Sequence, residues 1–251
     1  MFRAFRRFAV AIALVASPIA NASEMDSLRT LEDTYHAFQE TAMRVNNVRA
    51  TELARWHGPI YLAYGEGVDR ARPEVEAMVG SLAALAQVRV ERVAANDPRV
   101  NFLVRASVRN SMGNTRCFAN IDWDGAGRMK RVELNLNMTN NERLTRCINH
   151  ETVHGFGLRD HPDSAFSVLS YKYANQAQLT DSDRVVLATL YDPRLPVTGQ
   201  IDAIGRIACG LIAERLRIAA DRAASVCEHQ ASPPRTSVFA RAHGIKDNIG
   251  Q

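Results

Sequence analysis

His150, Glu151 and His154 lie close together in a segment whose other residues suit a helix. Residues four apart on an α-helix share a face, with Cβ atoms about 5–6 Å apart, so both imidazoles can reach one zinc ion at the usual ~2.0–2.1 Å. Glu151 lies about 100° further round the helix. It therefore stands beside the metal, where it can take a proton from a water whose pKa the metal lowers towards ~7. Gly157 can adopt the left-handed conformation that reverses the chain after a helix, and a ligand three residues later would close the site from below. By register that ligand is Asp160. His161 is its immediate rival, because one residue of slack in the loop would bring it in instead.

The whole pattern reads H-E-x-x-H-x-x-G-x-x-D, and its first half is the metallopeptidase signature. It resembles the metzincin clan of zinc peptidases, whose usual third ligand is histidine, and within it the snapalysin-like secreted bacterial members, which carry aspartate there. The resemblance implies a Zn2+ cofactor held by His150, His154 and Asp160, with Glu151 as general base and then acid. It also implies a tight turn beneath the metal. Ser167-Val168-Leu169-Ser170-Tyr171 is similar to that turn, with Leu169 where methionine is usual, an exchange that apolar cores tolerate. Tyr171 matches the tyrosine that in such enzymes donates a hydrogen bond to developing negative charge. A thermolysin-like site would need a downstream glutamate ligand, but the next glutamate after Glu151 is Glu214. The wider stretch from Trp56-His57-Gly58-Pro59-Ile60 to Leu190-Tyr191-Asp192-Pro193-Arg194-Leu195 resembles a family of exported bacterial proteins of unassigned function.

These residues need a frame. Leu28, Leu31, Tyr35 and Phe38 recur at helical spacing, which predicts an amphipathic helix over 27–46, either a docking helix or part of a pro-segment. Strands are expected over 59–64, 88–93, 100–108, 116–123 and 128–137, and a helix over 72–86. Thr139 and Glu142 have the spacing of a capping box for the site helix. The alternating strand before that helix is a candidate edge for holding an extended peptide by strand addition. A further helix opens at 179–183 and runs to Tyr191, and the tail over 201–228 reads helical. The expected class is α/β (α+β). The resemblance makes it zincin-like: a mixed twisted sheet with a site helix and a Met-turn-like loop, plus helical N- and C-terminal extensions. The divisions are 1–22, 23–54, 55–198 for the catalytic domain, 199–230, and a disordered 231–251.

Arg3, Arg6 and Arg7 precede an apolar run that ends in Ala20-Asn21-Ala22, the form of a secretory signal peptide cut after Ala22. No other apolar run is long enough to span a membrane. The formal charge is +4, and losing three arginines and no acid leaves +1, so the basic balance does not indicate nucleic acid as a partner. Four cysteines in an exported chain suggest two disulfides. Cys117 with Cys147 would tie a strand to the site helix, leaving Cys209 with Cys227. That second pair cannot form if 210–225 is one straight helix, so either a helix break or a different pairing is required. No cysteine precedes Cys117, which excludes latency through an N-terminal thiolate. Two functions are carried forward: an exported, monomeric zinc endopeptidase acting on protein or peptide, and a non-catalytic periplasmic or secreted peptide-binding protein using the same cleft.

Overall fold

The computed structural model describes residues 18–107, 116–163, 165–172 and 178–229, apart from the side chains of 18–24, of Glu142 and of His229. The expected signal segment up to residue 17 and the tail 231–251 lie outside the described residues. The chain forms the mixed α/β arrangement expected. Its elements are α1 (Pro18–Ala42), a small hairpin of β1 (Arg44–Val45) and β2 (Val48–Arg49), β3 (Ile60–Tyr64), α2 (Arg72–Ala86), β4 (Val90–Arg92), β5 (Phe102–Ala106), β6 (Phe118–Trp123), β7 (Met129–Leu136), α3 (Asn141–His154), α4 (Asp181–Leu190), α5 (Ile201–Arg215) and α6 (Ala220–His229).

The main sheet has the order β4-β3-β5-β7-β6. Strands β3, β4, β5 and β7 run parallel, and β6 is antiparallel to β7. The strand before the site helix is thus paired on both sides and cannot be the cleft edge. The edge is β6. Strand alternation decides which face is buried: Val132, Leu134 and Leu136 of β7 are fully buried beside Phe102 and Val104 of β5, while Arg131 is exposed and Glu133 half-buried on the other face. Helix α2 packs against α3, and α3 packs on β6 and β7. Helices α1, α4, α5 and α6 form a second cluster, which joins α2 through α4.

Helix α1 is longer than expected, starting at Pro18 and ending at Ala42. Its Leu31, Tyr35, Phe38 and Ala42 are buried in the common core. It is a docked structural element of the fold. Helix α3 is capped by Asn140, whose side chain accepts from the Arg143 N–H at 3.2 Å. Thr139, the expected cap, instead donates its hydroxyl to Asn137. Helix α4 does carry a capping box, Thr180 with Asp183.

Both disulfides form as expected, Cys117–Cys147 and Cys209–Cys227. The geometric obstacle to the second is removed by a break in the tail. Arg217 takes a left-handed φ of 59° between α5 and α6, and the chain doubles back so that the two Cα atoms come within 5.5 Å. Disulfides mark an oxidising compartment. Among the described residues no helix is long and apolar enough to cross a membrane.

Asp192 fastens α5 to the end of α4. It accepts from the Arg194 guanidinium at 2.9 and 3.0 Å and from Arg215 at 2.8 Å. These bonds, those of Arg194 first, pull its pKa down to about 2 against the opposing effect of burial. A depressed carboxylate contributes stability that is complete above the unfolded pKa of about 3.9 and is lost as pH falls through the folded value. Acid unfolding followed by circular dichroism should therefore lose this contribution between about pH 4 and pH 2. Asp192→Asn should lower stability at neutral pH and flatten that part of the acid limb.

Candidate metal centre

The two helical histidines are aimed by backbone carbonyls. His150 Nδ1 lies 2.9 Å from the Val168 carbonyl, and His154 Nδ1 lies 2.5 Å from the Leu158 carbonyl. A carbonyl oxygen only accepts, so each Nδ1 carries the proton and each Nε2 keeps a lone pair. Those Nε2 atoms are 3.2 Å apart. His161 completes the set, with its Nε2 3.0 Å from that of His150 and 3.1 Å from that of His154. His150, His154 and His161 form the one group of metal-ligating side chains found among the described residues.

Burial, followed by the neighbouring imidazoles, pushes the pKa of His150 well below its usual value. Burial likewise lowers His154, and burial, His154 and Arg44 lower His161 well below the usual range. All three rings are therefore neutral near pH 7. The lone pairs of His150 and His154 face each other with no proton between them, an arrangement that costs energy unless a cation lies among the rings. The donor set thus fits a metal ion: three neutral imidazoles converging on one point, two of them oriented through their second nitrogen.

Asp160, the expected third ligand, is not in this set. Its carboxylate is turned towards the protein, where it accepts from the backbone N–H of Asn47 at 2.7 Å and of His161 at 2.8 Å. It also faces the Arg44 guanidinium at 3.6 Å. The acceptor is used up in holding the loop, and the next residue supplies the imidazole. Gly157 makes this loop possible, with φ of +96° and so close an approach to Ala54 that a Cβ would lie 2.0 Å from the Ala54 carbonyl oxygen.

The loop is fastened to the end of α1 and the β1–β2 hairpin. Arg159 and Asp160 donate their N–H groups to the Thr41 carbonyl, Arg44 Nη2 donates to the His161 carbonyl at 2.8 Å, and Asp163 N donates to Glu40 at 3.0 Å. Arg44 is 1% exposed, so its charge is out of water and depends on these acceptors. Sequence reasoning missed Arg44, since no local pattern links a helix-end arginine to a loop more than a hundred residues away.

Ser167–Ser170 form a tight turn, in which the Ser170 N–H donates to the Ser167 carbonyl at 3.1 Å. Leu169 is fully buried. The carboxylate of Asp183 accepts from the Ser167 hydroxyl at 2.5 Å and from the Val168 N–H at 3.1 Å. It thus fixes the peptide whose carbonyl orients His150. The Thr-x-x-Asp spacing of Thr180 and Asp183 is a signal that could have marked Asp183 as part of a helix cap, and it says nothing of this second duty. Tyr171 stacks on His161, with ring centroids 4.1 Å apart and planes 21° apart, and lies 6.1 Å from the His150 ring.

Glu151 lies beside the triad, and its carboxylate is bonded to the backbone N–H of Ala119 on the edge strand. Burial raises its pKa to about 8, opposed by that bond and by Arg146. A cation held by the three histidines would oppose the shift further. Trp56 Nε1 donates to the Gly155 carbonyl at 3.0 Å, and the Tyr191 hydroxyl to that of Phe156 at 3.2 Å. The carbonyls at the helix exit are thereby satisfied within the core.

Removing His161 should lower Co2+ affinity far more than any change at its supports, and Arg44→Met should lower it about 10–100-fold, as loss of an outer partner does. Calorimetric titration of both variants and of the double variant would check this. Arg44→Met should add nothing once His161 is alanine.

A family model described as "Protein of unknown function (DUF2927)" matches residues 31–200. The match takes in the part of α1 that carries the loop supports, the sheet and the triad, and it stops short of α5. No curated protein matches the chain.

Proposed function

We propose, for a chain that belongs to the DUF2927 family of proteins of unknown function, that it is an exported zinc-dependent peptide hydrolase. The observation that carries this reading is the convergence of three neutral Nε2 atoms at 3.0–3.2 Å with a carboxylate, Glu151, next to them on the same helix. Three nitrogens at tetrahedral positions around zinc, each ~2.0–2.1 Å from it, lie about 3.3 Å from one another, close to the spacing found. The metzincin-like order of motif, glycine and turn supports it, with His161 taking the usual histidine place. The signal-peptide pattern and the two disulfides support export.

Zinc, when bound, supplies a Lewis acid that acidifies water and polarises a carbonyl. Glu151 accepts the water proton at a carboxylate oxygen and passes it to the departing amine nitrogen. Tyr171, held against the His161 ring, donates its hydroxyl to the oxygen on which charge develops. The open side of β6 receives the peptide as an added strand, and the bond between Ala119 and Glu151 puts that strand against the general base. The walls formed by α3 and the Ser167–Ser170 turn hold the rings and limit water.

The test is hydrolysis of casein by the protein beginning at Ser23, with zinc, with a chelator, and with zinc restored. Glu151→Gln should keep its metal and lose at least about 100-fold in rate, the usual loss on removal of a general base. A folded, zinc-loaded protein that cleaves nothing but still binds extended peptides would establish the non-catalytic alternative.

A further inference from the structure

Almost every charged group near the triad has a partner. Asp160 is engaged by Arg44, Asn47 and His161, and Glu151 by Ala119. Arg159 is buried against the Glu52 and Ala42 carbonyls with its guanidinium over the Trp123 ring. Arg146 is the exception. It stands four residues before His150 on α3, on the same face and one turn nearer the helix start. It is half-buried, and among the described residues its guanidinium makes no hydrogen bond or ion pair.

Its electrostatic neighbours are those of the site. They are Arg143, Tyr171 and Glu151, and its charge is felt at His150. Arg143 has the same sign, and the one carboxylate, Glu151, is buried and spoken for. A guanidinium has five donors and no acceptor, and taking it part-way out of water without a partner is unfavourable. Its planar fork matches a carboxylate in a two-bond arrangement that lysine cannot copy. With a dication at the triad the positive potential here would rise further, favouring an anion from outside the chain.

We propose that Arg146 is a specificity-determining residue that binds a carboxylate of the peptide lying across the His150–His154–His161 triad. The substrate class is then peptides with a carboxylate next to the bond presented to Glu151. This deepens, and rests on, the peptide hydrolase reading. The carboxylate can be an acidic side chain or the C-terminus of the peptide itself, and the chemistry of recognition is the same for both.

The probes are alanine-rich hexapeptides carrying Glu, Gln or Lys at one central position, each made as the free acid and as the amide. Internally quenched versions are offered to the zinc-loaded wild type, Arg146→Met and Arg146→Glu. Fluorescein-labelled versions are titrated against Glu151→Gln with and without the Arg146 substitutions, which reads binding without turnover. A charge-assisted pair predicts at least about a 10-fold preference for a carboxylate peptide over its neutral counterpart, in kcat/KM and in Kd alike. That preference should vanish in Arg146→Met and turn towards the Lys peptide in Arg146→Glu. A preference for Glu over Gln assigns the side chain as the source, and a preference for acid over amide assigns the terminus. Cleavage that treats all these peptides alike overturns the carboxylate site and leaves the hydrolase. An Arg146-dependent preference in binding, with no cleavage by the wild type, overturns the hydrolase and leaves the site. Peptides neither bound nor cleaved overturn both.

Discussion

Everything at the candidate metal centre depends on the orientation of three imidazole rings, two by hydrogen bonds to main-chain carbonyls and one by a fixed loop. A histidine on a helix can point its ring in several directions, and either ring nitrogen can hold the proton. The carbonyls of Val168 and Leu158 remove that freedom for His150 and His154. They come from different parts of the chain, the turn after the loop and the helix exit, so the two rings converge only when both segments are in place. The third ring is set by a buried ion pair acting at one remove: Arg44 and Asp160 secure the peptide of His161 rather than its side chain. Burial of such a pair seldom adds stability by itself, whereas breaking it is costly. Its service here is to geometry.

Much of the sheet could be read from the chain, because alternation at 128–137 and 100–108 and the turn signals between strands are local properties. The span of α2 follows from its apolar spacing and its proline near the start. The helix carrying His150 and His154 was legible for the same reason. The pairing order of the strands was not, and with it the place of β6 at an edge of the sheet, since register between distant strands depends on which partners bury their faces best. The break at Leu216–Ala219 was one of two ways out that the second cysteine pair demanded. The apolar pattern continues through it, and only the disulfide gave a reason to expect it.

Asp160 shows how a correct motif can mislead by one residue. The spacing H-x-x-G-x-x-D ends on a side chain that can ligate a metal, and in isolation nothing distinguishes it from its neighbour. The decision is made elsewhere, by Asn47 and Arg44, which present a backbone donor and a guanidinium to the carboxylate. With that demand met by Asp160, the loop can offer only His161 to the rings. A residue of ligand type was thus recruited for support, and Arg44, its counter-charge, sits on an element that carries no motif.

Cys117 and Cys147 bring a different constraint. The bond joins the residue just before the edge strand to the residue three positions before His150, across a sequence separation of 30. It ties β6 to α3 covalently, where packing alone would let strand and helix part. Were a chain to lie along β6 as proposed, the two would move as a unit, and any yielding would fall to the loop that carries His161 and Tyr171. Its entry and release would then disturb the third ring before the first two, leaving the helical pair as the fixed seat.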